Sequence, residues 1–143
     1  MHLNPYGEYA VRLAQSLAND WPSDRTGIVA RVRDHGMTMP FPEQRGDHAR
    51  CREVVDQWLR VVVATSPDAR ADLLNRQMAA VSAYPRLIDH HGEGWHLHYR
   101  DIDDDLALVL LSVFAVGTAL HLTTRGIDRL GRCASRPCPH VIA

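Results

Sequence analysis

Apolar residues recur along most of this chain at the three-to-four-residue spacing of a buried helical face. In "YGEYAVRLAQSLANDWP", Val11, Ala14, Leu17 and Ala18 fall at i, i+3, i+6 and i+7, and Pro22 ends the run, which predicts a first amphipathic helix. A shorter stretch, "DRTGIVARVRDHG", puts Ile28, Val29 and Val32 on one face, with Gly36 as a stop. Pro40 and Pro42 then make "MTMPFPEQRG" a connector. In "DHARCREVVDQWLRVVVAT" the stripe is Val54, Val55, Trp58, Leu59 and Val62. The following "SPDARADLLNRQMAAVSAY" opens on Ser66 as an N-cap with Pro67 in the first turn. So short a connection between the two predicts antiparallel neighbours.

The period changes in "PRLIDHHGEGWHLHYRD", where two strand-like runs flank "HGEG" and predict a hairpin near 86–99. Trp95, Leu97 and Tyr99 alternate with His96 and His98, so one face is apolar and the other carries imidazoles. Asp103, Asp104 and Asp105 then precede the longest uncharged run, Leu106 to Thr124. Negative charge there suits a helix N-terminus. The strongly apolar part of this run is shorter than the roughly 20 residues a bilayer span needs, so it reads as a buried central helix. The expected fold is mainly α: a helical domain over 1–124 with one small β-hairpin, then a short cysteine-bearing tail over 125–143.

Length and charge narrow the function classes. At 143 residues there is room for one domain with a real core. The balance of 45% hydrophobic and 23% charged residues is that of a folded chain rather than a disordered one. A formal charge of −1 announces neither nucleic acid nor membrane, so local charge must carry any such case. Three cysteines, an odd number, do not make a secreted disulfide framework. The opening "MHLNPYGEY" has no basic or apolar leader region, so a cytoplasmic protein without a membrane partner is expected.

Candidate chemistry concentrates in two places. Cys133 and Cys138 form a C-x4-C pair in a turn-prone segment with Ser135, Pro137 and Pro139, and His140 is a candidate third ligand. A tight loop lets two thiolates approach one ion, but the spacing alone leaves zinc and two free thiols equally open. Arg125, Arg129, Arg132 and Arg136 surround this pair against Asp128 alone. Such a tail suits phosphate contact, or is simply a solvated surface; no aromatic residue is interleaved to stack on bases.

The second place is the hairpin, with His90, His91, His96 and His98. His96 and His98 share a strand face and form an alternative metal site, with Asp89 or His91 across the hairpin as a third ligand. Solvated histidines are the plainer reading. The run Asp101 to Asp105 suits either a hard cation or, more simply, the start of the following helix. Cys51 lies between Arg50 and Arg52, where positive charge would lower a thiol pKa. No nucleophile elbow, P-loop or dinucleotide fingerprint is present, which favours a non-enzymatic protein.

Three stretches taken together, "NPYGEYAVRLAQSLAND", "WHLHY" and "GIDRLGRCASRPC", give the chain a family resemblance. It resembles the bacterial ABATE-domain proteins that carry a CGNR zinc finger, a family associated with stress-induced transcription regulation. The resemblance extends over nearly the whole chain and is most specific at "DRLGRC" and the C-x4-C that follows. It implies that Cys133 and Cys138 match the first two zinc ligands of a finger. In the family the finger continues through a basic stretch to a second cysteine pair with the Cys-Gly-Asn-Arg signature; neither has a counterpart here, so the finger is incomplete.

The expectation that follows is a regulator of transcription with a body that senses a small ligand or binds a partner. Its zinc-bearing C-terminus would contact DNA or RNA, with Arg132 and Arg136 on phosphates. Two other readings stay open: a metal-dependent enzyme using His96 and His98, and an interaction module in which a homodimer shares one zinc through two copies of Cys133 and Cys138.

Overall fold

In a computed structural model of the protein, residues 7–81, 85–89, 95–99 and 105–143 are described. Five helices account for most of them: α1 (Glu8–Asn19), α2 (Arg25–Asp34), α3 (Asp47–Val62), α4 (Pro67–Val81) and α5 (Leu106–Arg125). Strands β1 (Arg86–Asp89) and β2 (Trp95–His98) pair antiparallel, with Leu87 opposite Leu97 and Asp89 opposite Trp95. A second antiparallel pair, β3 (Gly131–Arg132) and β4 (Val141–Ile142), follows α5. The chain is therefore mainly α with a small hairpin, as its periodicities predict.

Capping residues set the helix boundaries. Asp24 accepts the N–H of Gly27 ahead of α2, Ser66 accepts that of Ala69 ahead of α4, and Asp105 accepts that of Leu108 ahead of α5. Asp101 to Asp104, the rest of the acidic run, lie outside the described residues. At the end of α2, Gly36 takes a φ of 86°, the Met37 N–H reaches back to the Val32 carbonyl, and Met37 is buried. This is the left-handed glycine stop that the sequence suggested.

α5 is the centre of the core, and α1, α3 and α4 pack around it while α2 closes on α1 and α3. By length and composition α5 could cross a membrane, but 72% of its most apolar window is buried inside the protein. The partners of that window are the faces read from the sequence: Val11, Ala14 and Leu17 from α1, and Val54, Val55, Trp58 and Val62 from α3. Trp58 satisfies its indole N–H on the Thr118 hydroxyl at 2.9 Å, which lets a polar α5 residue sit in the core without loss.

The closest approach is between α1 and α5. Gly7, with φ 68°, precedes α1, and a Cβ there would stand 1.9 Å from the Gly117 carbonyl oxygen. A Cβ on Gly117 would stand 2.1 Å from that of Ala10. Only glycine at both positions allows the two backbones to touch.

Two buried charges tie the helices together. The Asp47 carboxylate accepts from Arg25 at 2.8 Å and lies 3.9 Å from Arg50, which also pairs with Asp105, so α2, α3 and α5 meet in one ionic cluster. Arg70, buried on α4, donates to the carbonyls of Val61, Val62 and Ala64 at 3.1, 3.2 and 3.3 Å and to that of Ile127. These are the open carbonyls at the end of α3 and one in the turn after α5, where a cation also meets the negative pole of α3.

Burial also corrects the reading of Cys51. Its side chain is fully buried on α3, and burial, with Asp47 and Asp105 adding to it, pushes the thiol up to about 12 despite Arg50. Desolvation of the thiolate outweighs the flanking arginines, so Cys51 is an inert core residue.

Candidate metal centre

The cysteine segment forms the loop of the β3–β4 hairpin. Gly131 pairs with Ile142 and Arg132 with Val141. Beyond them the Cys133 N–H donates to the His140 carbonyl at 2.8 Å, and inside the loop the Cys138 N–H donates to the Ser135 carbonyl at 2.8 Å. These two bonds fold residues 133–140 into a tight turn with both cysteines, each half-buried, at its base.

The two thiols lie within hydrogen-bond reach, and Cys133 is held below the ordinary thiol range. The chief cause is the Ser135 backbone N–H aimed at its sulfur; the Cys138 thiol is next, partial desolvation opposes both, and the Ser135 hydroxyl adds a little. Backbone N–H donation to sulfur stabilises the thiolate, the form that binds metal. Two sulfurs so placed could chelate one soft or borderline ion, and zinc fits that donor chemistry.

Among the described residues no three of His, Cys, Asp and Glu gather at one point. His140 meets the pair through its backbone carbonyl, and the described residues bring only the two sulfurs together at this point. Of the four arginines expected to carry positive charge, Arg132 donates to the Pro139 carbonyl at 2.9 Å and braces the loop, while Arg125, Arg129 and Arg136 are exposed. In the other candidate site, His96 and His98 take register positions opposite Ile88 and Arg86. Their imidazoles lie outside the described part of the structure, as do His90 and His91.

Val141 fastens the hairpin to the helical body. Val141 is buried, its N–H donates to Asn19 Oδ1 at 2.7 Å, and its carbonyl accepts from Asn19 Nδ2 at 3.1 Å and Gln15 Nε2 at 2.8 Å. Asn19 thus acts as a strand edge offered by the end of α1. Leu130 is buried and Ile127 partly so, completing the apolar side of this contact. Sequence reading had no signal for Asn19 or Gln15, because an amide on a helix surface looks the same with or without a distant partner. No protein-family model matches the chain, and no curated protein matches it.

Proposed function

We infer that this chain is a non-enzymatic regulatory protein. Its helical body senses a ligand or partner, and its β3–β4 hairpin presents Cys133 and Cys138 as one half of a zinc knuckle directed at nucleic acid. The observation that carries this reading is the thiol pair itself: two sulfurs within hydrogen-bond reach, Cys133 held below the ordinary thiol range, on a loop docked against α1 through Val141. The resemblance of "DRLGRC" and the C-x4-C to the start of a CGNR finger supports the transcriptional part.

Cys133 and Cys138 hold the ion as thiolates, and zinc bound there would order the loop. The remaining ligands then come from a second copy or from residues other than the described ones. Arg136, exposed, and Arg132, which braces the loop, lie on the same hairpin and are the phosphate contacts of this reading.

Cobalt(II) titration tests the metal step, because thiolate ligation produces a near-ultraviolet charge-transfer band. The band is expected in the wild type and absent from Cys133→Ser/Cys138→Ser, and one metal for every two chains would identify shared coordination. A wild-type protein that shows no thiolate band at saturating cobalt refutes the knuckle. For nucleic acid, binding should weaken with salt and with Arg136→Gln; affinity indifferent to both refutes phosphate contact.

A further inference from the structure

Between α1 and the C-terminal end of α5 lies a cleft of about 760 Å³, within the size range of small-molecule sites. Val11, Arg12 and Gln15 line it from α1, His121 and Arg125 from α5, and Arg129 from the turn beyond. Its charge is one-sided. Arg125 and Arg129 are exposed and have no carboxylate partner among the described residues. Arg12 pairs with Glu8, which also faces the cleft, and Ala143 closes the rim. Three guanidiniums, those of Arg12, Arg125 and Arg129, outnumber the side-chain carboxylate of Glu8.

His121 supplies the second, independent observation. It is 8% exposed, and its buried Nδ1 has no hydrogen-bond partner among the described residues. A polar atom left unmatched in the wall of a cleft is uncommon in a folded protein, and it marks a place where a ligand can complete the hydrogen bonding. Burial, then the charge of Arg125, hold the imidazole below its ordinary range, with Glu8 opposing. This favours the neutral ring, in which one nitrogen is a donor and the other an acceptor.

We propose that this cleft binds a small metabolite through a carboxylate or phosphate group, with Arg125 and Arg129 as charge partners, His121 as the buried polar contact and Val11 as the apolar wall. The site gives the sensing role of the body a place and a ligand class, and it stands whether or not the thiol pair holds metal. Gln15 lines the cleft and also donates to the Val141 carbonyl, so an occupant touches a residue that fastens the cysteine hairpin.

The test is a titration of the full chain, without added metal and at constant ionic strength, with inorganic phosphate and separately with succinate. It is followed through the ring resonances of His121. Saturable shifts are expected, with the His121 pKa rising on saturation because an anion joins Glu8 against Arg12, Arg125 and Arg129 around the ring. Arg125→Gln/Arg129→Gln should raise Kd by about tenfold or more, while Arg60→Gln, an exposed arginine on α3, should leave it unchanged. Saturation by one anion only assigns the headgroup. No saturable His121 response to either anion overturns the proposal, as does a Kd that the cleft variant leaves alone or that Arg60→Gln raises equally.

Discussion

Replacing Asn19 by alanine should release the cysteine hairpin while leaving the helical body folded. The substitution removes the acceptor of the Val141 N–H and one of two donors to the Val141 carbonyl. Val141 is 1% exposed, so its N–H finds no water in place of the amide. Stranding a buried donor costs about 1–3 kcal/mol, whereas the carbonyl keeps Gln15 and loses well under 1 kcal/mol. A combined loss near 2 kcal/mol corresponds to about a thirtyfold rise in the undocked population. Because β3 and β4 have two residues each, the hairpin has little stability of its own once detached. The Cys133 amide is the proper reporter, since its acceptor, the His140 carbonyl, is untouched by the mutation. In hydrogen exchange it should speed up by that factor, while amides in the middle of α5 change far less. Unchanged Cys133 exchange, or an equal acceleration throughout α5, would refute docking through Asn19.

Two further predictions address the body. Gly117→Ala places a methyl 2.1 Å from the Ala10 Cβ, so α1 must move away; overpacking of about 1–3 kcal/mol outweighs the gain of up to about 1 kcal/mol in helix propensity. Urea unfolding should show the loss and Ala10→Gly should restore part of it; a stabilised single variant would disprove the close contact. Asp105 is the second case. Partial burial raises its carboxyl, but the Leu108 N–H and Arg50 together hold it below the usual carboxylate range. Its stabilisation is therefore full above the unfolded aspartate value of about 4 and disappears as pH falls through the folded value. Asp105→Asn keeps a cap but no charge, so the stability gap between it and the wild type should narrow on acidification; a gap constant with pH contradicts the ion pair.

The helices were legible from their spacing, and the starts of α4 and α5 from the residues that cap them, whereas α1 and α3 begin after Gly7 and Gly46 with no side-chain cap. Ile28, Val29 and Val32 repeat at helical spacing, and Ser66 and Asp105 precede apolar runs and cap them. The hairpin of β1 and β2 was equally plain in its alternation, yet its apolar face is not covered: Leu87, Trp95 and Leu97 are 62%, 70% and 46% exposed. Alternation distinguishes two faces and is silent on which one meets the core. The pairing of β3 with β4 escaped the sequence because two-residue strands have no period to read. Arg70 and Asp47 escaped for another reason: charged residues are presumed solvated, and only the third dimension shows the carbonyls or guanidinium that receive them. The thiol pair was visible as spacing, while its depressed thiolate depends on a Ser135 N–H that only the folded loop supplies.

The docking of Val141 on Asn19 spans 122 positions of sequence, and α1 also takes its main apolar partner from α5, about a hundred residues downstream. α1 is thus synthesised well before the helix it packs on most. Closing a hundred-residue loop costs about 2 kcal/mol more entropy than closing a ten-residue one, so these contacts form late in folding. On the ribosome, α2 and α3 can cover part of α1, but Val11, Leu13 and Leu17 lack the α5 side of their packing until that helix has emerged, which makes this segment a natural client for a holding chaperone. The contact that fixes the cysteine loop can form, during synthesis, only after all five helices have been made.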